Sequence, residues 1–199
     1  MGGLYVISPI LSTDDMKEYR PMQKHQPPVV TGSKTVFEWP YYSVRHDELD
    51  LPNGTEGNYY VIDMPEAAGV IAISEGKILM ISQYRHPLAI VTYEFPMGRG
   101  HKGEPPQDAA LREFAEETGF APVTVKPLCV IDPLPGQSNH QVAMFIAEGV
   151  RNTTAEKDAE EYDLEKHWFT PEQIDEMIAS GRMNNAVTIA AWYKYKLTF

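Results

Sequence analysis

The stretch Gly98 to Phe120, GRGHKGEPPQDAALREFAEETGF, limits what this chain can fold into more than any other. It reads as a loop, a proline-led start, one helix and a glycine stop. Pro105 and Pro106 suit the first turn of a helix, where a missing N–H costs little. Gly119 suits the left-handed residue that ends one. Between them Ala110, Leu111, Phe114 and Ala115 form an apolar stripe at helical spacing. Arg112, Glu113, Glu116 and Glu117 share another face, because residues three and four apart are neighbours on a helix. Carboxylates crowded on one face repel and weaken a helix. A bound divalent cation reverses that penalty, and carboxylate oxygens are the hard ligands that Mg²⁺ or Mn²⁺ prefer. Taken alone, the same face also describes an ordinary solvated helix surface.

The wider spacing decides between the two. The stretch fits G-x(5)-E-x(7)-R-E-U-x-E-E-x-G-U, with U apolar, at Gly98, Glu104, Arg112, Glu113, Phe114, Glu116, Glu117, Gly119 and Phe120. With seven positions of fixed type, chance agreement is on the order of 10⁻⁸ per starting position. This is the Nudix box, and the chain resembles a Nudix hydrolase. The box points to a family and says little about the substrate.

The rest of the chain divides around it. Residues 1–33 hold several prolines and mixed charges without a sustained period, and read as an N-terminal arm with one short helix near residues 14–20. Residues 34–63 are rich in aromatic and β-branched residues and carry a Pro52-Asn53-Gly54 turn, so they read as a small antiparallel β element. Residues 64–199 form the main domain. Its apolar runs AAGVIAI and KILMISQYR are split by Ser74-Glu75-Gly76, a hairpin turn. IVTYEF, VTVKPLCVID, QVAMFIAEGV and LEKHWFT read as further strands. Thr170-Pro171 opens a helix that runs to about Ser180, and NNAVTIAAWYKYK reads as a final helix. Strands on both sides of one helix, then terminal helices, indicate an α+β sandwich. The resemblance makes it a Nudix α/β/α sandwich with a mixed sheet.

Composition excludes several classes. A net charge of −11 argues against a nucleic-acid or acidic-membrane surface, which needs a basic stripe. No apolar run approaches a membrane span. MGGLYVISPILSTDD lacks the basic start and long apolar region of a signal peptide. The single cysteine, Cys129, lies in an apolar run and reads as a buried thiol, which fits a cytoplasmic protein.

Features outside the box narrow the resemblance. Gln83-Tyr84-Arg85-His86-Pro87 precedes it, Tyr93-Glu94-Phe95-Pro96-Met97 runs into it, and Pro135-Gly136 follows it. Together these look like the branch of ADP-ribose pyrophosphatases and nucleoside-diphosphate-sugar hydrolases. That resemblance implies a Mg²⁺- or Mn²⁺-dependent enzyme acting on a small nucleotide substrate, with residues 34–63 serving dimerisation and base clamping in a homodimer. It implies Glu113, Glu116, Glu117 and the Met97 carbonyl as metal ligands, and Arg112 as the residue that ties these carboxylates and Glu104 together. Arg85 and Glu94 fall on the substrate side, and Trp39 is the stacking candidate for a nucleobase. The general base stays open. Where many relatives place a glutamate after Pro-Gly, this chain reads Gln137-Ser138-Asn139-His140-Gln141. His140 offers an imidazole, a group suited to proton transfer near neutral pH. Glu160 and Glu161, from the acidic segment Glu156 to Glu161, are the favoured bases, with Glu161 ahead of Glu160 and both ahead of His140. Preference for another nucleotide sugar, such as GDP-mannose or ADP-glucose, and a non-catalytic ADP-ribose-binding module are the competing functions.

Overall fold

The computed structural model describes residues 26–153 and 163–199. The expected helix near residues 14–20, and Glu160 and Glu161, lie outside the described residues. Two sheets organise the rest.

The first is a three-stranded antiparallel meander of β1 (Val29–Trp39), β2 (Tyr42–Asp50) and β3 (Glu56–Asp63). Trp39 pairs with Tyr42 across a tight Pro40-Tyr41 turn. The next turn is closed by the Leu51 N–H on the Thr55 carbonyl at 2.8 Å, with Gly54 at φ +82°, a conformation that glycine adopts without strain. β1 starts at Val29, inside the stretch read as an arm, because Val29 to Ser33 find partners along β2 from Asp50 to Asp47.

The second sheet holds β4 (Ala67–Ser74), β5 (Lys77–Arg85), β6 (Ile90–Glu94), β7 (Met97–Arg99), β8 (Phe120–Ile131), β9 (Val142–Asn152) and β10 (Glu165–Phe169). Its order is β10-β5-β4-β9-β8, with β6 beside β5 and β7 beside β4. β4 and β9 are parallel and the other pairs antiparallel, so the sheet is mixed. Glu75 and Gly76 both take left-handed φ, of 51° and 74°, the geometry of a two-residue hairpin between β4 and β5.

Period-two alternation on β4 and β9 sorts the core into two layers. Ala68, Val70 and Ala72 with Ala143, Phe145 and Ala147 face helix α1 (Pro106–Thr118), where Ala109, Ala110 and Phe114 meet them. Small side chains on these strands let the helix lie close. Ile71, Met144 and Ile146 face the opposite way, toward α2 (Pro171–Ala179) and α3 (Ala186–Thr198), which supply Ile174, Met177 and Trp192. Each large side chain buried here contributes about 1.5–3 kcal/mol. The apolar stripe of α1 is rotated from the expected one: Ala109 and Glu117 are buried, while Leu111 and Ala115 are only half-buried. Helix packing against two central strands, not apolar spacing alone, chose that face. Cys129 likewise is half-buried rather than fully inside.

The helix ends follow local rules. Pro106 takes the first position of α1, and Gly119 ends it at φ +67°, giving its N–H to the Ala115 carbonyl. Thr170 and Gln173 form a capping box on α2, and the Asn185 side chain accepts the Thr188 N–H at 2.9 Å at the start of α3. Asp175 of α2 accepts from Trp192 Nε1 at 2.8 Å and Lys196 Nζ at 2.6 Å, fastening α3 to it.

Candidate active site

Short strand β7, which the sequence pattern does not announce, sets the site. It lies against β4 because residue 69 is glycine: a Cβ there would stand 2.6 Å from Met97 Cβ and 2.9 Å from the Pro96 carbonyl. The same close approach repeats one layer on. A Cβ on Gly98 would stand 2.1 Å from Glu113 Oε2. Glu117, only 5% exposed, accepts the Met97 N–H at 2.9 Å. The two carboxylates one helical turn apart on α1 therefore converge on the Met97–Gly98 backbone.

Behind them Arg112 gathers the loop. Its guanidinium donates to both oxygens of Glu104 at 3.0 Å, to Glu113 at 2.8 Å, to Glu116 at 3.0 Å and to the Arg99 carbonyl at 2.8 Å. Hydrogen bonds from Arg112, with one from the His101 N–H, hold the Glu104 carboxyl down at about 2. Glu113 moves the other way. Burial pushes its pKa up, Arg112 opposes this, and neighbouring Glu116 adds to the rise.

A cleft of about 810 Å³ opens in front of this wall. Glu113, Glu117, Met97, Arg85, Glu94 and His140 all line it, from five separate elements and loops. Arg112 and Glu116 stand behind the wall and do not line it. Arg85 is clamped by Glu94 through Nε at 2.9 Å and Nη2 at 2.6 Å. Glu94 is 2% exposed and also accepts from the Thr92 hydroxyl and the Asn185 side chain. Burial pushes the Glu94 carboxyl up, but Arg85, Thr92 and Asn185 outweigh it and leave the pKa lowered. Glu94 is thus occupied in holding Arg85. The His140 ring nitrogen Nδ1 sits 2.7 Å from the Pro65 carbonyl, which only accepts, so Nδ1 carries a proton and in the neutral ring Nε2 is the acceptor nitrogen.

Trp39 is 54% exposed at the end of β1 and is not a lining residue of this cleft. Its neighbour Tyr41 is closer to the site: the guanidinium carbon of Arg99, a cleft residue, lies 3.8 Å from the Tyr41 ring centroid. Sequence reasoning missed Asn184 and Asn185, which line the cleft from the start of α3, and Asp163, whose carboxylate accepts the Tyr84 N–H at 2.9 Å and interacts with Arg85. The Asn-Asn pair just before a helix was the available signal for the first two. Asp163 carried none beyond its place at the end of an acidic run.

Comparison with known proteins gives the family. A NUDIX domain model fits residues 63–191, and a nucleoside diphosphate sugar hydrolase N-terminal domain model fits residues 30–62. The chain belongs to the Nudix family. It is 33% identical to the ADP-ribose pyrophosphatase of Bacillus subtilis over 80% of this chain and 88% of that one. It is 31% identical to the methanol dehydrogenase activator of Bacillus methanolicus over 80% of this chain and 87% of the other. A crystal structure of an ADP compounds hydrolase superposes with a TM-score of 0.79 at 20% identity, covering 88% of this chain and 95% of that chain, and so shares the fold. The protein is a Nudix hydrolase with an α+β fold.

Nudix hydrolases use divalent metal ions, and the donors here fit one. Two hard carboxylates, Glu113 and Glu117, meet at a backbone segment whose glycine leaves room for nothing else. Burial, which raises the Glu113 pKa, disfavours its charge, and a cation would restore the charged form. Among the described residues, no three His, Cys, Asp or Glu side chains stand ready-made around a common point, and Glu116 is bonded to Arg112 at 3.0 Å.

Proposed function

We propose that this Nudix hydrolase cleaves the pyrophosphate bond of ADP-ribose or a similar nucleoside diphosphate sugar, releasing a nucleoside monophosphate and a sugar phosphate. The observation that carries this reading is one cleft lined by Glu113, Glu117, a clamped Arg85 and His140. Its volume, about 810 Å³, suits a small-molecule ligand rather than a polymer.

Glu113 and Glu117, with the Met97 carbonyl, would hold Mg²⁺ (or Mn²⁺), while Glu116, the further ligand the family suggests, is engaged by Arg112 behind them. When bound, the cation supplies positive charge to the diphosphate and makes a nucleophile of water at neutral pH. The protein's own groups do the rest. Arg85 presents a planar fork of donors to phosphate oxygens, and Glu94 prevents it from wandering. His140 receives the proton of the attacking water at Nε2, since Nδ1 is already engaged. Arg112 holds Glu104 and Glu113 in register without touching substrate.

We also read the protein as a cytoplasmic homodimer. Phe37, Trp39 and Tyr60 on the three-stranded sheet are 47%, 54% and 59% exposed, and exposed aromatic patches mark interaction surfaces. Trp39 then reaches the nucleobase in the partner's cleft. No helix among the described residues is long and apolar enough to cross a membrane.

The test is turnover of ADP-ribose, ADP-glucose, GDP-mannose and diadenosine polyphosphates with Mg²⁺. ADP-ribose should give the highest kcat/KM, with AMP and ribose 5-phosphate as products. Glu117→Gln should lose at least about a hundredfold in kcat. Tight ADP-ribose binding with no turnover of any compound would leave only a binding module.

A further inference from the structure

The loop carrying His140 springs from the large sheet, yet it is bonded along its length to the small one. The Ile62 N–H donates to the Gln137 carbonyl at 2.8 Å, and the Ser138 hydroxyl donates to the Ile62 carbonyl at 2.8 Å. Ile62 and Ser138 form a parallel bridge, and the Tyr59 hydroxyl donates to the Gly136 carbonyl. Ala67 closes the run with its N–H on the Gln141 carbonyl at 2.8 Å. Residues 136–141 thus lie beside the end of β3 much as a further strand would.

Asn139 is the centre of this seam. Its Oδ1 accepts the Met64 N–H at 3.1 Å, and its Nδ2 donates to Asp63 Oδ1 at 2.9 Å. The opposite amide orientation would set a donor against a donor and an acceptor against a carboxylate. Asp63 Oδ1 also accepts from Arg45 Nη1 at 2.9 Å. Arg45 Nε is 2.9 Å from Asp47 Oδ2, and the Ser33 hydroxyl donates to Asp47 at 2.6 Å. A line of polar contacts therefore crosses β1, β2 and β3 and ends one residue from His140. Pro65, whose carbonyl selects the His140 tautomer, is two residues beyond Asp63.

We infer that Asp63 is a positioning residue: through Asn139 it holds the loop so that His140 keeps Nδ1–H on the Pro65 carbonyl and offers Nε2 to the cleft. The catalytic consequence rests on the role given to His140 above; the structural one does not. The small sheet then does more than present aromatic rings, because it also sets which nitrogen of a cleft histidine carries the proton.

The test compares Asp63→Ala, Asp63→Asn and Asn139→Ala with the wild type, using ¹⁵N shifts of the histidine rings, exchange of the Met64 amide and kcat/KM. The wild type should show His140 as the Nδ1–H tautomer. Asp63→Ala and Asn139→Ala should admit the Nε2–H form, and Asn139→Ala should speed Met64 exchange at least about tenfold. Their kcat should fall by between about ten- and a hundredfold with KM changed less. Asp63→Asn keeps an acceptor oxygen for Asn139 and should restore the wild-type tautomer, which also covers the case in which Asp63→Ala fails to fold. A wild-type tautomer in both Asp63→Ala and Asn139→Ala would overturn the inference. So would an activity loss in Asp63→Ala of equal size in a His140→Ala background. Wild-type turnover in His140→Ala alone would instead remove His140 from the reaction while leaving the tautomer and exchange results to judge Asp63.

Discussion

Replacing Arg112 by methionine keeps most of the stem and removes the charge. The guanidinium makes five hydrogen bonds, to Glu104 twice, to Glu113, to Glu116 and to the Arg99 carbonyl, and its side chain is 24% exposed. Bonds to charged groups contribute about 1.5–3 kcal/mol each when buried. Here the partners share one cation and the site is partly open, so the sum is far from additive and solvent screens it. The variant also leaves three carboxylates facing one another. A loss of about 3 kcal/mol is expected, at the low end for breaking a buried pair. For a chain of this size that lowers Tm by roughly 6–12 °C. Thermal unfolding at several pH values, without added metal, tests the cause. Glu104 has its folded pKa held at about 2, below its unfolded value, so its contribution is complete above the ordinary carboxylate range and is lost as pH falls toward about 2. The methionine variant lacks most of that contribution. The Tm gap between wild type and variant should therefore be full at pH 7 and narrow between about pH 5 and about pH 3. A gap of the same size at pH 7 and pH 3 would refute the electrostatic account and leave only packing.

Three further outcomes are expected. Gly98→Ala places a Cβ 2.1 Å from Glu113 Oε2, so affinity for Mn²⁺ measured by calorimetry should weaken at least about tenfold while α1 stays helical. Glu94→Gln removes the charge that clamps Arg85 at 2.6 and 2.9 Å, and kcat/KM for ADP-ribose should fall at least about tenfold; an unchanged value would mean Arg85 needs no clamp. Trp39→Ser on the exposed sheet should shift sedimentation toward the monomer and raise KM with little effect on Tm, since the ring is 54% exposed in the single chain.

Local signals carried much of the fold. The proline start and left-handed Gly119 of α1, the Glu75-Gly76 hairpin and the Thr170 cap were all readable, because each depends on a few adjacent residues. Strand β7 was not, since three residues have no period and exist as a strand only by pairing with β4. The burial of Glu117 was not readable either: a glutamate on an amphipathic helix normally faces water, and here it is turned inward to the Met97 N–H. Asp163 was not readable either, because its value comes from a backbone amide and an arginine on a distant strand.

The charged stretch from Gly98 to Phe120, its helix and the spacing of Glu113 and Glu117 are legible without any fold, because helical period and turn chemistry are local properties. So are the residue types on offer elsewhere, an arginine before the box and a histidine after it. What those residues do follows from contacts between distant elements. Pairing of β5 with β6 brings Arg85 to Glu94, and the seam between β3 and the loop sets His140 against Pro65, 75 residues away in the chain. Contacts at that separation leave no local pattern, since they are selected by sheet register and core packing rather than by neighbouring residues.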